Sequence, residues 1–316
     1  MNQPYSPLQQ NSSRPRTQVS EIEERNNWLI LGGMVLGLIL LFLQTLGEIA
    51  QSWEEPQYSH GYLIPVLSGI LLWFRREPFL AVFTWERWLG AAILFGSFIA
   101  WYLGTYLTNF TLERLAFIPT LLGCMVMVGG VRSLLWSAPP ILFLVFMIPW
   151  PDFLVQMVLN NLQSLATTAS YFFMQVLGID CFREGHIILL DNIKMNVEEQ
   201  CSGLRMLTVF VALSVAMAMF TRERPLWEKV TLVASSLPIA LFVNTLRITT
   251  IGVFYNAGFE PEWVNSVLHD QAGLFMMPIA LGLMYIEIQI LARIFIEESA
   301  ASSLQAGVSA VAKSSP

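Results

Sequence analysis

The 316-residue chain is 55% hydrophobic and only 13% charged, and its mean hydropathy is +0.57. This balance is too apolar for an ordinary soluble domain and indicates a protein of the lipid bilayer. The formal net charge of -6 leaves no basic face that could neutralise phosphates, which argues against a nucleic-acid partner.

Hydropathy along the chain predicts an all-α polytopic membrane protein with about eight transmembrane helices. A helix needs about 20 apolar residues to cross a hydrocarbon core of about 30 Å. The predicted spans are residues 28–46, 62–74, 88–107, 115–131, 134–148, 204–220, 226–254 and 272–296. Residues 28–297 form the predicted transmembrane domain. Residues 1–27 and 298–316 are polar or Ala/Ser-rich, and we expect both to be disordered cytoplasmic tails.

Residues 152–178 interrupt this series, because polar residues alternate with apolar ones. The polar positions are Asn160, Asn161, Gln163, Ser164, Thr167 and Thr168. The pattern favours an amphipathic or bundle-facing helix over a lipid-exposed one, and a ninth span stays open as the alternative. Residues 181–200 then change to a strand-like period around the turn-like Asp191-Asn192. We predict a small extracytoplasmic hairpin there, before the sixth span.

Lysine and arginine positions set the predicted orientation, because cytoplasmic loops retain positive charge. With eight spans and the N-terminus inside, the cytoplasmic segments contain Arg14, Arg16, Arg25, Arg75, Arg76, Arg87, Arg132, Arg222, Arg224, Lys229, Arg293 and Lys313. Both termini are therefore predicted to be cytoplasmic. A ninth span at 152–178 would turn Arg222, Arg224 and Lys229 outward, so the charge rule argues against it.

Four polar elements then lie at the outer level of the membrane. They are Tyr58-Ser59-His60-Gly61, Glu199-Gln200-Cys201-Ser202-Gly203, Asn244-Thr245-Leu246-Arg247 and His269-Asp270. Ionisable side chains at a membrane boundary are costly and usually mark a functional site or a partner. Our hypothesis is that these elements share one site.

Cys201 is the candidate nucleophile, because a helix start favours a thiolate over a thiol. Two structural alternatives remain open: a small apolar filler, or a disulfide with Cys181. Together with Cys124, the three cysteines are too few for a disulfide framework, and they lack CxxC spacing.

Arg247 lies in an apolar helix one turn after Asn244, and its permanent charge would suit an oxyanion stabiliser. Snorkelling to headgroups or a structural ion pair is the alternative reading. His269 is the candidate proton carrier, with a satisfied interfacial histidine as the alternative. His60, Asn244 and Arg205 are the candidate substrate-binding residues. For Asn244, a helix-to-helix hydrogen bond is the simpler explanation.

An ordered set of motifs resembles the signature of the exosortase/archaeosortase family. It comprises Glu199-Gln200-Cys201-Ser202-Gly203-Leu204-Arg205, Asn244-Thr245-Leu246-Arg247-Ile248, and His269-Asp270 with Gly273. The stretch Tyr58-Ser59-His60-Gly61-Tyr62-Leu63-Ile64-Pro65 and Ile148-Pro149 are also similar to features of bacterial exosortases. The resemblance covers about residues 48–290.

The resemblance implies a cysteine protease and transpeptidase of the bacterial cytoplasmic (inner) membrane, with its active site facing outward. Its substrates would be membrane-anchored proteins with a PEP-CTERM sorting signal, which comprises a Pro-Glu-Pro motif, a transmembrane helix and a basic tail. By the same resemblance Cys201 is the nucleophile, Arg247 stabilises the tetrahedral intermediate and His269 is the general acid/base. No cofactor or metal is expected.

The expected partners are these substrates and the membrane lipids. Because the printed sequence ends soon after the last predicted span, we expect no fused extracytoplasmic domain; either a separate accessory protein supplies its function or that function is dispensable. Two other classes compete with the enzyme. A non-catalytic component of exopolysaccharide export predicts a silent Cys201→Ser, and a thiol-redox protein predicts equal sensitivity to losing Cys181 or Cys201.

Overall fold

The computed structural model describes residues 19–190, 193–197, 203–221, 224–264, 278–279 and 282–290. The chain divides into two compact units, Met1–Trp150 and Pro151–Pro316, here called the N-terminal unit and the C-terminal unit. Each is described separately below.

The N-terminal unit is helical throughout its regular elements. The helices are α1 (Glu21–Leu41), α2 (Leu43–Ser52), α3 (Leu63–Arg75), α4 (Thr84–Tyr106), α5 (Phe110–Leu115) and α6 (Phe117–Phe143), with 3-10 helices at Pro56–Tyr62 and Leu144–Met147. A capping box fixes the start of α1, because the Ser20 hydroxyl accepts from Glu23 N and the Glu23 carboxylate accepts from Ser20 N at 3.1 Å. The helix thus begins ahead of the apolar run that starts at Trp28.

The C-terminal unit combines helices with a small sheet. Its elements are α7 (Asp152–Val176), β1 (Cys181–Glu184), β2 (Ile187–Leu190), β3 (Ile193–Asn196), α8 (Gly203–Phe220), α9 (Leu226–Asn256) and α10 (Pro261–Val264). Residues 282–290 are helical as well.

Several described helices are long and apolar enough to cross a membrane. Three qualify directly: Thr84–Tyr106, Phe110–Met147 and Leu226–Asn256. Helices α1 and α2 together form a fourth candidate that bends by 71°. The chain is therefore a mostly helical membrane protein with more than one candidate span, and the number eight stays a prediction.

Helix α6 changes direction at Gly130. This residue has φ +71°, and the Ser133 hydroxyl donates to Met125 O at 3.0 Å. Residues eight apart in a straight helix lie about 12 Å apart along the axis, so the chain must turn sharply between them. The carboxylate of Glu86 holds this turn by accepting from Val131 N at 3.1 Å. The turn falls next to the junction between the predicted spans 115–131 and 134–148.

Helices α7, α8 and α9 pack as a bundle whose directions follow from their contacts. Leu207 and Phe210 of α8 cluster with Ala240 and Val243 of α9. Further along α8, Ala218 clusters with Leu232, which is nearer the start of α9, so these two connected helices run antiparallel. Helix α7 runs parallel to α9. Val158 and Leu162 pack against the same cluster near the middle of α9. Further along, Ser170 Oγ donates to Thr245 O at 3.2 Å and the Met174 side chain lies against Gly252.

The sheet is an antiparallel meander in the order β1-β2-β3. Strands β2 and β3 confirm the predicted hairpin, with Leu190 paired to Ile193. The sequence analysis missed β1, which pairs Cys181 with Leu190. Alternate residues bury one face of the sheet against the C-terminal halves of α7 and α9. The buried members of this cluster include Cys181, Ile188, Leu190, Met195, Ala166, Met174, Ile248, Ile251 and Tyr255.

Candidate functional site

Arg247 is buried in α9, with only 7% of its surface exposed. Arginine carries a permanent positive charge, so the protein must accommodate a buried cation at this position. The two helical neighbours that flank it on the chain, Leu246 and Ile248, are apolar. A permanent cation in this setting is a source of strong electrostatic interaction, because little water is available to screen it.

The segment of α9 that contains Arg247 packs beside the sheet. Ile248, Ile251 and Tyr255 belong to the buried cluster that includes the sheet, and Leu241 packs against the same cluster. Open strand edges are not tolerated in hydrocarbon, so we infer that this end of α9 lies towards the edge of the bilayer.

Arg247 also lies at the level of the first turn of α8. The two helices run antiparallel, and Val243 packs in one cluster with Leu207. One turn further along α9 is Arg247, and one turn back along α8 is Gly203, where that helix begins. The N-terminus of α8, where the first N–H groups have no partner within the helix and the dipole is positive, thus approaches the level of the guanidinium.

Two of the three predicted catalytic residues, Cys201 and His269, lie outside the described residues. In sequence, Cys201 stands two positions before the first residue of α8. Arg205 belongs to the first turn of α8, and its side chain also lies outside the description. The three assigned roles therefore remain predictions.

Asn244 is buried to 5% exposure, one turn before Arg247 on α9. The sequence analysis preferred a hydrogen bond between helices for this residue. The side-chain oxygen Oδ1, however, accepts no hydrogen bond from any described residue. Buried polar atoms in native proteins usually have a partner, so this acceptor needs an explanation other than helix packing.

A polar face of α7 opposes this part of α9, and the sequence analysis did not single it out. Gln163, Thr167 and Ser170 are exposed by 4%, 0% and 0%. Their spacing of four and then three residues places them on one face of a helix. That spacing was the signal available in the sequence, where the six polar residues of this segment were considered together rather than by face.

Other polar residues of α7 bind the sheet. Arg183 of β1 donates from Nη2 to Ser164 Oγ at 3.4 Å and from Nη1 to Thr168 Oγ1, while its Nε donates to Gly185 O at 2.9 Å. One side chain thus fastens the sheet to α7. The mixed composition of α7 therefore reflects two polar faces, one towards α9 and one towards the sheet.

Cys181 is a free thiol, 4% exposed, on the buried face of the sheet. Burial, and secondarily the negative charge of Asp180, raise the pKa of this thiol. The thiol is therefore protonated near neutral pH and poorly suited to attack or exchange. Among the described residues, Cys124 is also free and buried, at 1% exposure.

His60 lies in the N-terminal unit, half-buried in the 3-10 helix Pro56–Tyr62. Trp53 organises this segment. Its Nε1 donates to Met147 O at 2.8 Å, its ring meets Tyr62 edge-on at 5.0 Å, and its indole occupies the space that a Cβ at Gly61 would need. Only glycine fits at this approach, which explains the His60-Gly61 pair. The motif thus has a local structural reason in addition to any functional one.

Within the described ranges, no three His, Cys, Asp or Glu side chains converge as they would around a metal ion. Comparison with protein families shows that the model described as transmembrane exosortase matches residues 52–286. Searches of curated proteins and of solved structures returned no significant match.

Proposed function

The chain belongs to the transmembrane exosortase family, and we propose that it is a membrane-embedded cysteine protease and transpeptidase. It cleaves the C-terminal PEP-CTERM-type sorting signal of exported proteins at the outer face of the bacterial cytoplasmic membrane. Both termini of the chain are cytoplasmic in this proposal. The observation that carries it is the burial of Arg247 at the level of the α8 N-terminus, since Cys201 directly precedes that helix in the sequence.

The reaction begins with Cys201. Its thiolate attacks the carbonyl carbon of the scissile peptide, a C–S bond forms, and the carbonyl oxygen takes the negative charge. A position ahead of a helix N-terminus favours the ionised thiol, because the dipole and the free N–H groups stabilise an anion. This attack needs no cofactor.

Arg247 stabilises the oxyanion of the tetrahedral intermediate. A guanidinium at the lipid boundary is weakly screened, so its attraction for a developing negative charge is larger than in water. Because the residue is held by the packed helix α9, its charge needs little reorganisation when the intermediate forms. This fixed position is the main support for a catalytic rather than a headgroup-anchoring role.

His269 completes the cycle as the proton carrier. When the C–N bond breaks, its imidazolium gives a proton to the departing amine, and a thioester remains on Cys201. The neutral imidazole then removes a proton from the incoming water or amine, which attacks the thioester carbonyl, and the C–S bond breaks to release the Cys201 thiolate and restore the starting thiolate and imidazolium. The products are the shortened protein, either free or joined to an acceptor amine, and the removed sorting segment.

Substrate and enzyme share the membrane, so helix packing can deliver the signal laterally without a deep soluble cleft. Asn244, one turn from Arg247, is proposed to contact the substrate, and its unsatisfied oxygen supports that role. Arg205 and His60 are proposed as further substrate-binding residues because of the sequence motifs that contain them.

The experiment co-expresses the chain with a tagged protein that carries a PEP-CTERM signal and follows loss of the C-terminal segment by mass. Variants Cys201→Ala, Arg247→Ala and His269→Ala are expected to abolish processing at matched membrane levels. Cys181→Ala is the matched control, because it removes a thiol whose pKa is raised by burial, and it should keep processing near the wild-type level. A hydroxylamine-sensitive adduct on Cys201 would identify the thioester.

Three outcomes separate the proposal from its competitors. Processing that survives Cys201→Ala contradicts the proposal and favours a non-catalytic membrane component of exopolysaccharide export. Equal loss in Cys181→Ala and Cys201→Ala indicates a redox pair. If Cys201→Ala abolishes processing and Arg247→Ala does not, the proposed role of the arginine is contradicted.

A further inference from the structure

An open cavity of about 190 Å³ lies in the N-terminal unit, between the α3–α4 connection (residues 76–83) and α6. The connection contributes Glu77, Pro78, Phe79 and Leu80 to its lining, and α6 contributes Gly129, Arg132, Ser133 and Trp136. A water molecule occupies about 30 Å³ of liquid volume, so the space is large enough for a small polar ligand. None of these residues has a part in the proposed reaction.

Two of the lining residues, Phe79 and Trp136, form a packed apolar base. They are 1% and 3% exposed, and their ring centroids are 6.1 Å apart. Both rings also contact Trp28, with centroid distances of 5.1 and 6.3 Å. The backbone of the connection is held as well, because Phe79 O accepts from Val19 N at 3.3 Å. The cavity is therefore preformed, and a ligand that enters it orders little of the chain.

Glu77 and Arg132 place opposite charges on the two sides of this cavity. Both side chains are exposed, and within the described part of the chain neither forms an ion pair with the other or with any third residue. Carboxylate and guanidinium groups bind oppositely charged partners through charge-assisted hydrogen bonds. Two such groups that line one cavity without neutralising each other match a ligand that carries both an anion and a cation.

Three exposed tryptophans mark the level of this cavity relative to a bilayer. Trp73 near the end of α3, and Trp85 and Trp88 at the start of α4, are 63%, 57% and 73% exposed. Tryptophan is enriched at membrane–water interfaces, where its ring contacts both lipid and headgroups. The connection also directly precedes the candidate span Thr84–Tyr106. The cavity therefore lies at the headgroup level.

We propose that this cavity binds the headgroup of a zwitterionic phospholipid of the phosphatidylethanolamine type. The phosphate accepts from the forked guanidinium of Arg132, and the ammonium donates to the carboxylate of Glu77. The acyl chains follow exposed apolar side chains of α3 and α4, such as Ile70 and Leu89. Glu77 repels a purely anionic headgroup, so the zwitterion is the better match. This binding does not depend on the proposed reaction.

Native mass spectrometry of the full chain in detergent tests the site by titration with phosphatidylethanolamine or phosphatidylglycerol of identical acyl chains. The two lipids share the phosphate, but only the first carries an ammonium. Arg132→Gln should weaken the binding of both lipids about fivefold, because each loses its contact with the phosphate. Glu77→Gln should weaken phosphatidylethanolamine alone, about fivefold, and leave the affinity for phosphatidylglycerol equal or higher.

Arg87→Gln and Glu54→Gln are the matched controls. Both residues are exposed, belong to the N-terminal unit and lie outside the cavity lining. Each substitution should leave the ratio of the two lipid affinities within about twofold of the wild-type ratio. All four substituted side chains are exposed, so we expect equal melting temperatures, which show that the variants fold normally.

Free phosphoethanolamine separates a lipid site from a site for a soluble zwitterion. It carries the same charges without acyl chains, so we expect it not to displace the bound lipid even in large excess. Displacement would assign the cavity to a soluble ligand and overturn the lipid assignment. The inference is also overturned if Glu77→Gln changes the affinity for both lipids alike, or if Arg132→Gln leaves both affinities unchanged.

Discussion

The hydroxyl of Ser170 on α7 donates to the carbonyl oxygen of Thr245 on α9 at 3.2 Å. The same carbonyl accepts from Thr249 Oγ1 at 2.8 Å, so two side chains converge on one backbone oxygen. Thr245 stands two residues before Arg247. This bond therefore couples α7 directly to the turn of α9 that carries the guanidinium.

Ser170→Ala should loosen this coupling without removing the fold. A hydrogen bond between membrane helices contributes about 0.6 to 2 kcal/mol, and Thr249 remains to satisfy the carbonyl. We expect a small fall in melting temperature and a larger proportional fall in kcat, because Arg247 is less firmly positioned. Differential scanning fluorimetry and peptide cleavage by the same preparation measure both effects. Thr250→Ala, which removes an exposed hydroxyl bonded to Leu246 O, is the control. An unchanged kcat in Ser170→Ala would show that the bond does not position the arginine.

Arg247→Lys tests whether charge alone is sufficient. Lysine keeps the positive charge but loses the planar, forked donors of arginine. We expect processing to fall by about 10²- to 10³-fold, as for loss of one oxyanion donor. Mass analysis of the substrate, with the membrane level and melting temperature of the variant recorded, checks this. A lysine variant with wild-type activity would mean that the residue acts as a point charge.

Much of the general architecture follows from sequence, because apolar length and turn chemistry are local properties. The hairpin of β2 and β3 and the long apolar helix that contains Arg247 are of this kind. The sequence analysis did not predict β1, because its Cys-Phe-Arg-Glu sequence does not alternate between apolar and polar residues. Its pairing with β2 depends on packing in the cluster that contains Ala166 and Met174.

The sequence of α7 shows its polar residues but not which of them are buried. Polar residues on a membrane helix can face a partner helix, a sheet or water. Gln163 and Ser164 are adjacent in sequence, yet the first is buried on the helix face that it shares with Ser170 and the second binds Arg183 of the sheet. Only the tertiary arrangement assigns adjacent residues to different partners.

Cys181 should make the protein sensitive to alkaline pH. Its pKa is raised above the ordinary value of 9.0 by burial and by Asp180, so the folded state binds the thiol proton more tightly than the unfolded state does. The resulting stabilisation is fully present below about pH 9 and is lost as the pH rises above it. Thermal melts of wild type and Cys181→Ala between pH 7 and pH 10.5 measure the effect. Their difference should be constant up to about pH 9 and then shift in favour of the alanine variant. A difference that does not change with pH would contradict the raised pKa.

The depth of the N-terminal end of α7 decides whether this helix crosses the bilayer. Ser170 of α7 bonds to Thr245 of α9, and the parallel helices begin 18 and 19 residues earlier, at Asp152 and Leu226. At 1.5 Å per residue both starts lie about 28 Å back from that bond, so we expect the two ends to reach a similar depth.

Single cysteines placed in a Cys201→Ala, Cys181→Ala, Cys124→Ala background test this depth with a membrane-impermeant maleimide. The positions Phe153, Phe182 and Leu226 are 70%, 73% and 76% exposed, so local burial does not bias the comparison. Leu226→Cys should react only from the cytoplasmic side and Phe182→Cys only from the outside. Phe153→Cys should react from the same side as Leu226→Cys, because the two helix starts lie at a similar depth. Resistance of Phe153→Cys from both sides would show instead that α7 enters the bilayer without crossing it.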